Sequence, residues 1–340
     1  MRLKLKWAGW VCALGLSAFA CSSDDGDNKG GNGGSGASGG SGGQVGECVP
    51  TAAECYVDGP RGPGAECLAK HDNSSANVWS GRFSYLKIEK PAALANQLVQ
   101  NLVVDKGITL NQRACNEEGD GTFTWLLEFD PASGRLKTGG GQPITDPKAG
   151  SCFVTIPNSN PAIAVAPTEV DVDVTESGEF EATIDAVVVP IFLDVEMSKT
   201  ILLPLHQIAF SGSFSDDRNC IGRYNGDQFE ISNTCKPDTT QGQTVWTTGG
   251  SLQGYITIEE AEAVYIDDLK ASLCAQIAGS TWKGQPTGRC AETDAWQAGE
   301  RPEGDWCAAT NSPATGACND AWQLKAGFAA SAMKVNGDCP

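Results

Sequence analysis

Val170-Asp171-Val172-Asp173-Val174 alternates apolar and acidic residues at every step, and Phe180, Ala182, Ile184, Ala186 and Val188 repeat that period of two shortly afterwards. Ser177-Gly178 between them supplies turn chemistry. A period of two sends successive side chains to opposite faces, so this stretch predicts an antiparallel hairpin with one apolar and one wet face. Further strands extend outward from it. Residues 122–129 read as a strand stopped by Asp130-Pro131-Ala132-Ser133-Gly134. Residues 191–195 and 201–210 are more evenly apolar, which suits strands covered on both faces. Pro190 and Pro204 predict bulges or edge positions there, because proline brings no N–H to a ladder. From 83 to 229 the texture is mainly β, and a sandwich or a curled sheet fits it.

A helical period intrudes in three places. Pro91 can occupy a first helical position, with Leu94, Leu98 and Leu102 four residues apart and Gly107 as the stop. Thr257-Ile258-Glu259-Glu260 has capping-box form, and Ile258, Ala261, Tyr265, Leu269, Leu273 and Ile277 make one apolar stripe ending before Gly279. A further helix is expected over 319–334, with Leu324, Phe328 and Ala332 on one face and Gly337 beyond the end. The expected class is therefore α+β: a mainly antiparallel, β-sandwich-like domain over 81–245 and a smaller helical, disulfide-rich part over 246–340. Residues 47–80, rich in Gly, Pro and Cys, read as an irregular strap tied by disulfides.

The chain has 340 residues, 40% of them apolar and 19% charged, enough to bury a core. Its formal charge of -18 leaves no basic surface for nucleic acid. The start is different. Arg2, Lys4 and Lys6 precede an uncharged run over 7–20, which has the layout of a cleaved export signal and is too short to span a bilayer. Ala18-Phe19-Ala20-Cys21-Ser22-Ser23 follows, and from 22 to 46 eleven of 25 residues are Gly. Such a segment cannot form a core; as a coil it spans roughly 25 to 30 Å.

The sequence around Cys21 resembles the lipobox of bacterial lipoproteins. The resemblance covers only the leader and implies a signal peptide over 1–20, diacylglycerol on the Cys21 sulfur and a flexible tether over 21–46. Ser22 after the Cys implies, by the family's sorting logic, the outer membrane, on the periplasmic face or the cell surface. Removing the leader takes away three basic residues and no acid, so the mature charge is -21. Anionic headgroups repel that charge, and the bilayer is met through the acyl chains of Cys21.

Twelve cysteines remain: Cys48, Cys55, Cys67, Cys115, Cys152, Cys220, Cys235, Cys274, Cys290, Cys307, Cys318 and Cys339. The number is even, no C-x-x-C occurs, and His71 and His206 have no nearby ligand at zinc spacing, so disulfides in an oxidising envelope are expected and a metal site is not. Seven precede residue 245 and five follow it, so complete pairing requires an odd number of bridges between the two parts. Asp294-Ala295-Trp296-Gln297 recurs as Asp320-Ala321-Trp322-Gln323, each after a Cys, which hints at a short duplicated unit.

Motifs for chemistry are scarce. G-x-S-x-G at 36–40 and 39–43 lies in the tether, where no strand-turn-helix can expose a nucleophile. His206, in an apolar run, reads as a satisfied strand histidine. Asn116-Glu117-Glu118-Gly119-Asp120-Gly121 has the oxygen density of a calcium loop without EF-hand spacing, and an acidic turn competes with calcium there. No other cofactor is indicated. Trp282, Trp296, Trp306 and Trp322 are candidates for stacking on sugar rings, with core packing as the competing reading. The preferred reading is a non-enzymatic, lipid-anchored envelope protein with a binding or structural domain, its partner a glycan or an envelope protein. The alternatives are a glycan module using those Trp residues, a carboxylate hydrolase, and an apolar-ligand carrier whose runs over 191–210 line a continuous cavity.

Overall fold

The computed structural model describes residues 65–96, 99–108, 121–144, 146–224, 229–230, 236–237 and 246–340. Cys21 with the leader and tether, Cys48, Cys55, Cys115, Cys235, Leu98 and residues 116–120 of the acidic turn lie outside the described residues.

Eight strands follow one another as antiparallel neighbours: β1 (Trp79–Lys90), β2 (Trp125–Asp130), β3 (Arg135–Gly140), β4 (Thr168–Val174), β5 (Glu179–Phe192), β6 (Thr200–Ser213), β7 (Gly250–Thr257) and β8 (Ala321–Ala332). β8 then pairs with β1, Gly81 facing Ala332 and Ile88 facing Ala326, so the curled sheet meets itself and closes as an up-and-down barrel. The mainly antiparallel α+β expectation holds. Closure satisfies both edges of the sheet, the groups that would otherwise template aggregation.

The stretch over 170–188 is the β4–β5 hairpin, with Val172 opposite Ala182 and Val174 opposite Phe180. Val172, Phe180 and Ile184 are buried, whereas Asp171, Asp173, Glu179 and Glu181 are exposed. The alternation changes phase at Asp185-Ala186, both exposed, after which Val187 and Val189 face inward. Val188 and Phe192 then pack outside the barrel on Val154 and Val165, so this end of the hairpin is covered on both faces, whereas the predicted strand over 191–195 ends at Phe192 and Val195 is exposed in the turn beyond it. Pro190 and Pro204 face Leu202 and Val188 across the β5–β6 ladder, beyond the pairings with β4 and β7, so each occupies an edge position.

The predicted capping box is present at α1 (Ile258–Ala263): the Thr257 hydroxyl accepts from the Glu260 amide and the Glu260 carboxylate accepts from the Thr257 amide. The helix is shorter than its apolar stripe. Val264-Tyr265-Ile266 is extended, Asp267-Asp268 begins a 3-10 turn closed by Lys270 at φ 51°, and Ser272 caps a new helix, α2 (Leu273–Ala278). A β-branched run and a competing cap thus override the stripe. After Lys90, residues 91–96 make turns where the helix was predicted to start, but Gln100–Asp105 form a π-helix that continues as an α-helix over Lys106–Ile108, so Gly107 lies inside the helix rather than stopping it.

The helix expected over 319–334 is strand β8. Trp322, Leu324, Ala326, Phe328 and Ala330 are all apolar, so a period of two fits as well as i, i+4, and ladders on both sides decide for strand. The tetrapeptide repeat is not a structural unit: Asp294–Gln297 is a helical turn, α3, and its counterpart enters β8.

Four disulfides lie among the described residues: Cys67–Cys220, Cys152–Cys339, Cys274–Cys290 and Cys307–Cys318. One of them, Cys152–Cys339, joins the chain on either side of residue 245, as the parity requires. Such bridges belong to an oxidising, extracytoplasmic compartment. Among the described residues no helix is long and apolar enough to cross a membrane. The charged exterior of the barrel is the reverse of a lipid-facing one.

His206 on β6 holds α1 to the barrel: its Nε2 lies 2.7 Å from Glu260 Oε1, and the Tyr255 ring stacks on its imidazole. The bond to Glu260 raises the His206 pKa against the opposing effect of burial. Burial pushes Glu260 up, but hydrogen bonds from His206 and Thr257 outweigh it and leave its carboxyl below the usual value. The histidine contribution is therefore full below the ordinary histidine pKa and disappears as pH rises through the raised one; the glutamate contribution disappears as pH falls through the lowered one. His206→Gln is expected to cost about 1 kcal/mol near pH 5.5 and markedly less near pH 9, read from urea melts at both pH values.

Candidate functional site: an apolar cavity in the barrel

The two halves of the barrel interior are filled differently. In one half Phe83, Phe210 and Phe328 stack with ring centroids 4.5 to 6.3 Å apart, and Phe129, Phe180 and Phe214 close around them edge-on or tilted. Gly250 makes room for this plug, since a Cβ there would stand 2.2 Å from Cζ of Phe328. In the other half the inward positions carry Leu86 and Ile88 of β1, Val187, Val189 and Ile191 of β5, Leu203, Leu205 and Ile208 of β6, Leu252 of β7, and Leu324 and Ala326 of β8. Shorter side chains in a ring of the same size leave a cavity of about 160 Å³. Eight-stranded barrels are at the size where the interior is either just filled or holds one small ligand.

Residues 91–108 contribute Leu94 and Val104 to the cavity wall. Gln100 fixes this segment to β1: its amide donates to the Leu86 carbonyl, and its side-chain oxygen accepts from the Ile88 N–H. The same amide donates to Asp105, whose carboxyl is held above the usual range by burial despite that bond. The buried guanidinium of Arg82 donates to the carbonyls of Phe83 and Ile108.

The hydroxyl and ammonium groups of the lining have partners. Thr138 donates to the Leu126 carbonyl, Lys90 to Gln323 Oε1 at 2.7 Å, and the Lys325 ammonium lies 2.8 Å from Glu89. An apolar space of this size accepts a benzene-sized molecule or a piece of alkyl chain.

The four candidate Trp residues do not form one cluster. Trp282 and Trp322, 8% and 5% exposed, border a separate cleft of about 1020 Å³ with Ile277, Arg301, Glu303 and Asp305. Trp296 is half-buried under the Arg301 guanidinium, 3.8 Å from its ring centre. Trp306 is buried and donates from its indole to Asn311. The groups Glu262/Cys274/Cys290 and Cys307/Cys318/Asp320 gather ligand-type atoms, but their sulfurs are joined in disulfides and offer no thiolate to a metal.

The runs over 191–210 supply Ile191, Leu203, Leu205, Ile208 and Phe210 to the cavity, as the carrier alternative requires. Leu324 and Ala326 escape sequence reading because 319–334 carries two periods at once. The alternation of Leu86 and Ile88 is the signal that could have revealed β1.

No family model matches the chain, and neither a curated protein nor a solved structure matches it.

Proposed function

We propose that this protein is an envelope lipoprotein that binds small apolar molecules, or the chains of amphiphiles, inside its barrel. The observation carrying this reading is the apolar cavity of about 160 Å³ in a barrel whose remaining interior is close-packed. Proteins otherwise pack to crystal-like density, so a void walled by aliphatic side chains is an expense in stability that a ligand offsets. The lipobox-like Cys21 and the Gly-rich segment behind it support a membrane anchor on a leash. A barrel held in this way samples molecules that partition into or leave the bilayer.

Calorimetric titration with n-alkanols of increasing length tests the reading. The dissociation constant is expected to fall about fourfold per methylene, from about 0.8 kcal/mol each, and to level off once the cavity is full. The heat capacity change should be negative. Affinity independent of chain length would refute the proposal.

A further inference from the structure

The apolar cavity and the cleft beside it share one thin partition. On β8, Leu324 lines the cavity, and Trp322, two residues earlier on the same face, borders the cleft. At the end of β1 and in the turn after it, Lys90 and Leu94 line the cavity, whereas Pro91, Ala92 and Ala93 border the cleft. A chain leaving the cavity between these two walls enters the cleft. Two spaces so different in chemistry, one walled mainly by aliphatic and aromatic carbon and the other by acids and bases, match the two ends of one amphiphile.

The cleft's charges define the head. Lys283 is paired with Glu300 and Arg301 with Glu259 at 3.1 Å. Lys90 donates to Gln323 and lies 3.8 Å from Asp305, whose other oxygen accepts from the Gln323 N–H. Each cation already faces an acid, and Glu303 adds a further exposed carboxylate. An anionic head would meet excess negative charge and no spare cation. A wholly apolar head would bury ion pairs against carbon. Hydroxyls suit this lining, because they donate to carboxylates, accept from ammonium and guanidinium groups, and bring no charge of their own. Trp282 and Trp322, almost wholly buried, add an apolar border beside these polar groups. Resting on the barrel-binding reading above, we infer that the ligand is an amphiphile with an uncharged, hydroxyl-rich head of glycosyl type in the cleft and its alkyl chain in the barrel.

The test compares octyl glucoside, n-octanol, octanoate and methyl glucoside by calorimetry on the full chain with its disulfides formed, each below its micelle concentration. Octyl glucoside is expected to bind at least tenfold more tightly than n-octanol or octanoate, and methyl glucoside not measurably. The variant Glu303→Gln should remove a large part of the gain of glucoside over octanol while leaving octanol binding as it was. Equal affinities for octyl glucoside and octanol, or tighter binding of octanoate, would overturn the inference with the apolar reading intact. Failure of octanol and octyl glucoside alike would overturn both readings.

Discussion

Ala326→Phe should abolish chain binding while making the barrel more stable. Ala326 lies opposite Ile88 on β1 and Leu252 on β7, and all three border the cavity. A phenyl ring at this position occupies the space the chain needs. Losing contact with three or four methylenes weakens n-octanol binding on the order of a hundredfold. The same ring fills a void, and filling voids commonly adds about 0.5 to 2 kcal/mol, visible as a rise of a few degrees in Tm. Leu252→Phe probes the same space from β7 with a smaller change of volume, and is expected to weaken binding in the same direction. Unchanged octanol affinity in both variants, each shown to be folded by circular dichroism, would mean that the chain binds elsewhere.

Phe328→Ala carries the largest expected loss of stability. Phe328 is fully buried, stacked 4.5 Å from Phe83 and 4.9 Å from Phe210, on the strand that closes the ring. Removing a buried phenyl costs about 3 to 5 kcal/mol, the transfer free energy plus the cavity left behind. Tm should then fall by about 10 °C. The new void adjoins the existing cavity, because Phe83 and Phe210 border both the plug and the cavity. The chain length at which alkanol affinity levels off should therefore increase. A loss below about 1 kcal/mol in urea melts would show that the aromatic plug is not what holds this half of the barrel.

Half of the barrel strands, β2, β4, β5 and β6, were legible because their signals are local. Period-two patterning at 170–174 and 180–184, the Asp-Pro-Ala-Ser-Gly turn after β2 and the capping box at 257–260 are each written within a few residues. Even apolarity over 201–210 marked a strand, but the run over 191–195 leaves its strand after Phe192 with Val195 exposed, Ala209 is exposed too, and cover on the second face is confined to the end holding Val188, Phe192 and Leu202. The failures share a cause. Where alternate residues and every fourth residue are both apolar, as over 321–332, local pattern is degenerate and the partners decide. Where a stripe continues across β-branched residues and a second cap, as over 258–277, the shared burial of Ile258, Ala261 and Leu273 preserves the apolar pattern although the backbone does not stay helical.

The candidate site was legible only as a set of apolar runs. Nothing in Ile191, Leu203 or Leu324 distinguishes a side chain packed on its neighbour from one that borders a void, because that difference is set by what stands across the barrel.

By itself, then, the order of residues determined the alternating strands, the turns, the caps, an oxidising compartment and an acidic exterior. These depend on neighbours a few positions away, or on counts. Tertiary structure alone decided that β8 is a strand, that it pairs with β1 to close the ring, and that phenyl groups fill one half of the interior while shorter aliphatic groups leave the other half open. Closure joins segments far apart in the chain, and empty volume belongs to no single residue, so neither can be read from local periodicity.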